Sequence, residues 1–463
     1  MHSSARRFAL AFMSLAMLLG TAACGGGGDD AADQSSAAGL DSGRATALGR
    51  RTPAPPPPAP APAPSSDSTL ALASASAAGQ AVTGNVCGVS SDGGKVLFTS
   101  YSDALTSGDP TPQAEDIYLK NFNGNGVTRV VAGTGFCLAL TPDANTVVYS
   151  LGNPVIFSPI WVKNLTTGAA TLVTPPLNAF PNVTGYQFAG VSDDGLRVAF
   201  IAQPTRTCSG YDCIANGPAR MLLRDLATGA LINLEDQVRF TTSQGVANGE
   251  AWLSPNGRTL AFSSGVDYPQ VGDTNAKGDV FALDIASGNV QLVSTNAAGQ
   301  QLSIPGFGGG GPMWGVQAFL SNSSKIAFYS DYDTSAGPAG VYVKDLATGA
   351  LNRILDRNIT YRVGSHLALS FSDDGRRVSY VESNGLGGSF ATSLPRVRDI
   401  ATGALVNAAT LTNGTVGNGQ TTTSVLLSRD GRIAAFGNNS TNLLGGVSPL
   451  GGAELRAYRK LLP

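Results

Sequence analysis

Histidine is almost missing from this chain of 463 residues; only His2 and His366 occur. Chemistry that gathers several imidazoles around a metal is thereby excluded, and a Ser-His-Asp relay would have to be built on a single ring. No Gly-x-Ser-x-Gly elbow is present to supply its nucleophile. Charge is scarce as well. Lys and Arg number 30 and Asp and Glu 32, together 13% of the chain, against about 25% in an average soluble protein. That deficit argues against coiled coils, long solvated helices and highly charged disorder. A net charge of −2 leaves no electrostatic footprint for nucleic acid or for an anionic membrane surface. No apolar run approaches the roughly 20 residues of a membrane-spanning helix. Glycine is in excess, at 58 residues, nearly twice the usual share of about 7%.

The first residues read as an address. Arg6 and Arg7 precede a short apolar run, Phe8 to Leu19, and then Gly20-Thr21-Ala22-Ala23-Cys24. A basic start, a short apolar segment and small residues at the cut describe a secretory signal. A cysteine directly after the small residues resembles the lipobox of bacterial lipoproteins, with Thr21 where Leu is usual. The resemblance implies removal of residues 1–23 and lipidation of Cys24, and several acyl chains anchor a protein stably. By the same resemblance, Gly25 rather than Asp after the cysteine implies an outer-membrane address, as in enterobacterial lipoproteins; an ordinary secretory signal with a chance cysteine is the alternative. Residues 24–67, with a Gly run and alternating Ala and Pro from Pro53 to Pro64, lack the apolar bulk for a core. Their Pro-rich part favours polyproline II and serves as a semi-rigid spacer, or alternatively as a polyproline ligand.

From residue 84 the chain repeats itself. A small polar residue, a turn with Asp or Asn and Gly, and an apolar run recur. Ser90-Ser91-Asp92-Gly93 precedes Val96-Leu97-Phe98, and Ser254-Pro255-Asn256-Gly257 precedes Leu260-Ala261-Phe262. The seven anchors are Ser90, Thr141, Ser192, Ser254, a degenerate Ser321, Ser372 and Ser428, spaced by 51, 51, 62, 67, 51 and 56 residues. Each interval carries a second element, such as Val341-Tyr342-Val343-Lys344-Asp345-Leu346-Ala347-Thr348-Gly349. Asp and Gly suit such turns because they bond the local backbone or tolerate positive φ. Four antiparallel strands per unit, seven times over, predict an all-β, seven-bladed β-propeller over residues 68–463.

The Ser254–Phe262 and Val341–Gly349 segments resemble the TolB-like, WD40-like (PD40) repeats of bacterial envelope proteins. That resemblance implies the propeller fold and an envelope setting; here a linker replaces the N-terminal α/β domain of TolB, and seven blades replace six. The seventh unit stops after three strands, whereas an unassigned strand, Leu70-Ala71-Leu72-Ala73-Ser74, lies ahead of blade one. It is expected to complete blade seven and close the ring.

With Cys24 lipidated, Cys87, Cys137, Cys208 and Cys213 remain, an even number in a compartment that permits disulfides. Cys208 and Cys213 share one loop, where a bridge would contribute roughly 2 kcal/mol. Cys87 lies three residues before its anchor and Cys137 four before its own, which points them to opposite faces of equivalent strands. Facing surfaces of neighbouring blades are opposite faces of the repeat, so this parity suits a bridge between blades one and two. Two buried thiols are the alternative.

In a four-stranded meander the first and third turns share one face of the disc. Those turns are short and uniform here; Tyr101–Glu115, Gln203–Ala219, Val266–Gly278, Asn384–Ser393, Ser440–Gly452 and the connection Ile304–Trp314 vary. Binding residues favour variable loops on a rigid scaffold. Trp314, Tyr268, Phe307 and Tyr211 are therefore the binding-face candidates, the alternative being that they pack the loops. Asp273, Asn275 and Asp279 space oxygen ligands in a manner that suits Ca2+, with Asp109, Glu115 and Asp116 at a similar place in blade one; solvated or turn-capping carboxylates are the plainer account. Gly306-Phe307-Gly308-Gly309-Gly310-Gly311 fits Gly-x-Gly-x-x-Gly, but no helix follows to receive a pyrophosphate. His366 is expected to be structural.

The sequence thus favours a lipid-anchored, monomeric, non-enzymatic scaffold that binds an envelope protein or glycan through its loop face, with no cofactor beyond that Ca2+ position. The alternative is a propeller hydrolase or lyase acting on polysaccharide. Acids converging with His366 and an Arg in one cleft would distinguish it.

Overall fold

The computed structural model describes residues 67–463 apart from 77–78, 125, 134, 152–158, 210–211, 216–218, 238–250, 303, 305–315, 320–323, 331–336, 357–368, 384–392, 422–424 and 445–453. Six blades grow from a Ser/Thr-x-Asx turn, and the corresponding turn of blade five lies outside the described residues. In blade one the Ser90 hydroxyl donates to Asp92 Oδ1 at 2.6 Å, and that carboxylate accepts the Gly94 N–H at 2.8 Å. Ser90 Oγ in turn accepts the Lys95 N–H at 2.9 Å, where the second strand begins. The same hydroxyl-to-Asx bond recurs from Thr141, Ser192, Ser254, Ser372 and Ser428. Donation by Ser90, then by the Gly94 N–H, holds the Asp92 carboxyl below its ordinary range.

Seven four-stranded antiparallel sheets follow, making a seven-bladed propeller. Blade one runs Asn85–Val89, Lys95–Ser100, Asp116–Asn121 and Gly126–Val131 from the axis outward. Blade seven takes Val425–Leu427, Ile433–Asn438 and Arg456–Leu461 from the C-terminus, and its outer strand, Leu70–Leu72, from the other end of the described chain. Leu70 lies opposite Lys460 and Leu72 opposite Tyr458. The expected closure is therefore present, and it leaves the ring without a gap between first and last blades.

The second strand of every blade places an aromatic ring at one level: Phe98, Tyr149, Phe200, Phe262, Phe328, Tyr380 and Phe436, all buried. The residue opposite on the third strand is often aromatic too. Phe98 stacks on Tyr118 at 5.8 Å between centroids, Phe262 on Phe281 at 5.4 Å, Phe328 on Tyr342 at 6.0 Å and Phe436 on Tyr458 at 5.6 Å. Such pairs add about 0.5–1.5 kcal/mol beyond the area they bury. Short strands buried on both faces leave little room for charge, which accounts for the sparse ionisable residues.

Cys87 and Cys137 form a disulfide. Val86 pairs with Phe98 and Gly88 with Leu97, so Cys87 is the extra residue of a β-bulge. Cys137, on the inner strand of blade two, pairs with Tyr149 on the second strand of that blade, just before a bulge at Leu138. The same bulge thus recurs in both blades, and the bridge ties the inner strands of blades one and two. Cys208 stands opposite Cys213 in a two-stranded hairpin, Arg206–Ser209 with Asp212–Ala215, that projects from blade three. Their side chains lie outside the described residues.

Candidate functional site

Two faces of the ring differ in kind. At one, the residue after each third strand donates its N–H to a carbonyl of the same blade's first turn: Phe122 to Gly94, Leu165 to Asn145, Leu226 to Leu196, Ile285 to Arg258, Leu346 to Ser324 and Ile400 to Arg376. Leu462, beside the C-terminus, makes the same bond to Arg432. First and third turns therefore share this face in blades one to six, and the end of the third strand of blade seven lies there too.

The second positions of those turns crowd around the axis. Ser91 N–H donates to Pro142 O, Asp193 to Pro255 O, Asp373 to Arg429 O and Arg429 to Ser91 O, at 2.7–2.9 Å. Backbone bonds thus step from blade to blade. Pro142 and Pro255 accept but have no N–H to pass the series on. Across the axis, the Arg429 guanidinium pairs with Asp193 of blade three, and its other nitrogen lies 3.5 Å from Asp373. Burial, partly opposed by Arg429, raises the Asp193 carboxyl above its ordinary range. The pair spans the axial opening on the turn face. In the sequence it is hidden at the variable position of the repeat, where Asp193, Asp373 and Arg429 stand in place of Ser91, Pro142 and Pro255.

The opposite face carries the long loops. Of the four aromatic candidates, Trp314, Phe307 and Tyr211 lie outside the described residues, as does His366. Tyr268 is fully buried. Its ring meets Phe281 edge-on at 4.9 Å, and its hydroxyl lies 3.2 Å from Ser264 Oγ. Tyr268 therefore packs its loop and offers no exposed contact surface. An aromatic that sequence reasoning passed over, Tyr101, is 57% exposed on this face. Its hydroxyl donates to Glu115 Oε2 at 3.1 Å, and burial of the phenol followed by the Glu115 charge pushes its pKa up to about 12. Its position at the start of a long loop was the available signal.

Asp273 and Asp279 are brought together in the blade-four loop, both fully buried. Tyr268 N–H donates to Asp273 Oδ2 at 3.0 Å, and Ser294 Oγ donates to Asp279 Oδ1 at 2.5 Å. Asp273 Oδ1 and Asp279 Oδ2 have no hydrogen-bond partner. Desolvation pushes the Asp279 carboxyl up to about 8, against the Ser294 hydrogen bond and with the Asp273 charge adding to the rise. The third expected member, Asn275, has its amide Nδ2 3.3 Å from Leu302 O and its Oδ1 on the Lys277 N–H. Among the described residues, no three or more His, Cys, Asp or Glu side chains form a metal-binding group. No helix among them is long and apolar enough to cross a membrane.

No protein-family model matches the chain, and no curated protein matches it. Solved propellers do. An oligogalacturonate lyase from Vibrio parahaemolyticus is 12% identical, with a TM-score of 0.53 over 85% of this chain and 97% of that one. An oligogalacturonate lyase in complex with manganese is 16% identical, with a TM-score of 0.49 over 87% and 98%. TolB from Acinetobacter baumannii is 18% identical, with a TM-score of 0.39 over 69% of this chain; the chain spans 61% of that protein's length. At these identities the likeness is one of fold. What the fold and site define is a closed seven-bladed β-propeller with a plain turn face and an elaborated loop face.

Proposed function

We propose that the chain is a lipid-anchored bacterial envelope protein, outer-membrane in address, whose monomeric propeller binds a protein or glycan through its loop face without catalysis. The observation that best supports this reading is where the chain joins the ring. Leu461 N–H donates to Thr69 O and Leu462 N–H to Arg432 O, both at 2.7 Å. The segment following the Pro-rich linker thus joins the ring at the turn face. That point of attachment leaves the variable-loop face of the ring uncovered by the described part of the segment. The Arg429–Asp193 pair on the turn face and the scarcity of histidine fit the same reading.

The test is crosslinking in intact envelopes, comparing the full chain with a variant whose Val266–Gly278 loop is replaced by a short Gly-Ser turn. Capture of one partner by the first and its loss in the second is the expected result. Equal capture by both would overturn the loop-face assignment. Shortening of oligogalacturonate or another polysaccharide by the purified chain would overturn the non-catalytic reading. Mass spectrometry of the mature N-terminus, with Cys24→Ser as control, checks the anchor.

A further inference from the structure

The loop that precedes the third strand occurs in closely similar form in blades one and four. Ser100-x-x-Asp103-x-x-x-x-Gly108-Asp109 matches Ser264-x-x-Asp267-x-x-x-x-Gly272-Asp273 residue for residue. Both glycines are left-handed, with φ 69° and 85°. Both loops end at a buried Asp that opens the third strand, Asp116 opposite Ser100 and Asp279 opposite Ser264. The fold thus places two carboxylates together twice, and the two copies can be compared atom by atom.

In blade one the chain neutralises its own pair. Arg129 Nη1 lies 2.9 Å from Asp109 Oδ1 and 3.3 Å from Asp116 Oδ2. Arg129 Nη2 donates to Gly108 O at 2.7 Å. The Tyr118 hydroxyl donates to Asp116 Oδ2 at 3.2 Å and the Gly133 N–H to Asp116 Oδ1 at 2.7 Å. Blade four lacks both side-chain donors. Arg129 faces Tyr118 across the outer strand pair, and at that register blade four has Leu292 facing Phe281. Phe281 cannot donate, and Leu292 carries no charge. One oxygen of each carboxylate is left without a partner, inside side chains that are fully buried. Two buried carboxylates cannot both stay charged without a compensating positive centre.

We propose that the blade-four loop binds a hard divalent cation, Ca2+ in class, between Asp273 Oδ1 and Asp279 Oδ2, in the place that the Arg129 guanidinium fills in blade one. Oxygen donors only, on a loop rather than a rigid cage, suit Ca2+, which accepts six to eight oxygens in flexible geometry. The two carboxylates supply the charge, and water and loop carbonyls complete the shell. The cation fastens the Val266–Gly278 loop to the third strand and so shapes the loop face. This inference does not depend on the binding function proposed above.

The experiment uses the full chain after treatment with chelator, titrated with CaCl2 and, separately, MgCl2, followed by calorimetry and thermal unfolding. The expected result is one Ca2+ per chain and a rise in melting temperature of about 3–5 °C at about 100 times Kd. Asp279→Asn should lose at least tenfold in Ca2+ affinity. Leu292→Arg should reproduce the blade-one arrangement: its melting temperature without Ca2+ rises to that of the Ca2+-loaded parent, and its response to Ca2+ disappears. A parent whose melting temperature is the same in chelator and in Ca2+, with no heat of binding, overturns the proposal, as does an unchanged Ca2+ response in Leu292→Arg. If Leu292→Arg fails to fold, Asp279→Asn decides, because retention of Ca2+ affinity in that variant also overturns the site.

Discussion

The Ala457 N–H donates to Ser74 Oγ at 3.0 Å across a sequence separation of 383 residues. Ser74 Oγ in turn donates to Val82 O at 2.9 Å, and Ala73 N–H donates to Ala457 O at 2.8 Å. The two ends of the ring are thus joined by backbone bonds, a side-chain clasp and the buried Leu70. Removing residues 68–76 exposes the edge of Arg456–Leu461 and uncovers Tyr458, which is fully buried. Differential scanning calorimetry should show a fall of well over 5 °C in melting temperature. An unchanged melting temperature would mean that the ring does not need this strand.

The Cys87–Cys137 bridge closes a loop with a sequence separation of 50 residues. Loop entropy alone assigns such a bond about 4 kcal/mol. Cys87→Ser with Cys137→Ser should lower stability by about 2–4 kcal/mol in denaturant melts, and reduction of the parent should do the same. Thiol titration of the unfolded, unreduced chain should find Cys87 and Cys137 unreactive.

Much of this architecture was legible because a propeller states its rules seven times. The aromatic at Phe98, Phe262 or Phe436 stands at a fixed distance from its anchor serine, and one unclear copy costs little. The parity of Cys87 and Cys137 pointed to the bridge, although the bulge that carries Cys87 is not visible in an alternating pattern. Tyr268 shows the limit. As a loop aromatic it reads as a contact residue, but its burial depends on how its own loop folds back onto Phe281. The missing counter-charge beside Asp279 was equally hidden, since it emerges only when Leu292 and Arg129 are compared in register across two blades.

Glycine carries different constraints in the two kinds of turn. Gly93 has φ 66°, and a Cβ there would lie 2.3 Å from Ile433 Cγ1 of blade seven. Gly229 has φ 76°, with nothing within 4 Å of a Cβ. Gly229→Ala should therefore cost only the left-handed strain of about 1–2 kcal/mol. Gly93→Ala adds overpacking at the blade-seven contact, about 1–3 kcal/mol more. Chemical denaturation of the two variants should rank them in that order, and equal losses would place the whole cost in the backbone.

Arg429 and Asp193 give the turn face a pH dependence of predictable sign. Burial raises the Asp193 carboxyl above its ordinary value and Arg429 opposes the rise. A carboxyl with a raised folded-state pKa favours the folded state while protonated and loses that advantage as pH climbs through the raised value. Arg429→Ala removes the opposing charge, so the Asp193 value rises further and the loss grows toward neutral pH. The side chains of Arg429 and Asp193 are 23% and 40% exposed, so solvent screening holds the difference to about 1 kcal/mol or less. The melting temperature of the variant should fall below that of the parent at pH 7. That difference should fade below about pH 4, where the carboxyl is protonated in folded and unfolded chains alike. A deficit of equal size at both pH values would show that Arg429 acts by packing the axis and not by its charge.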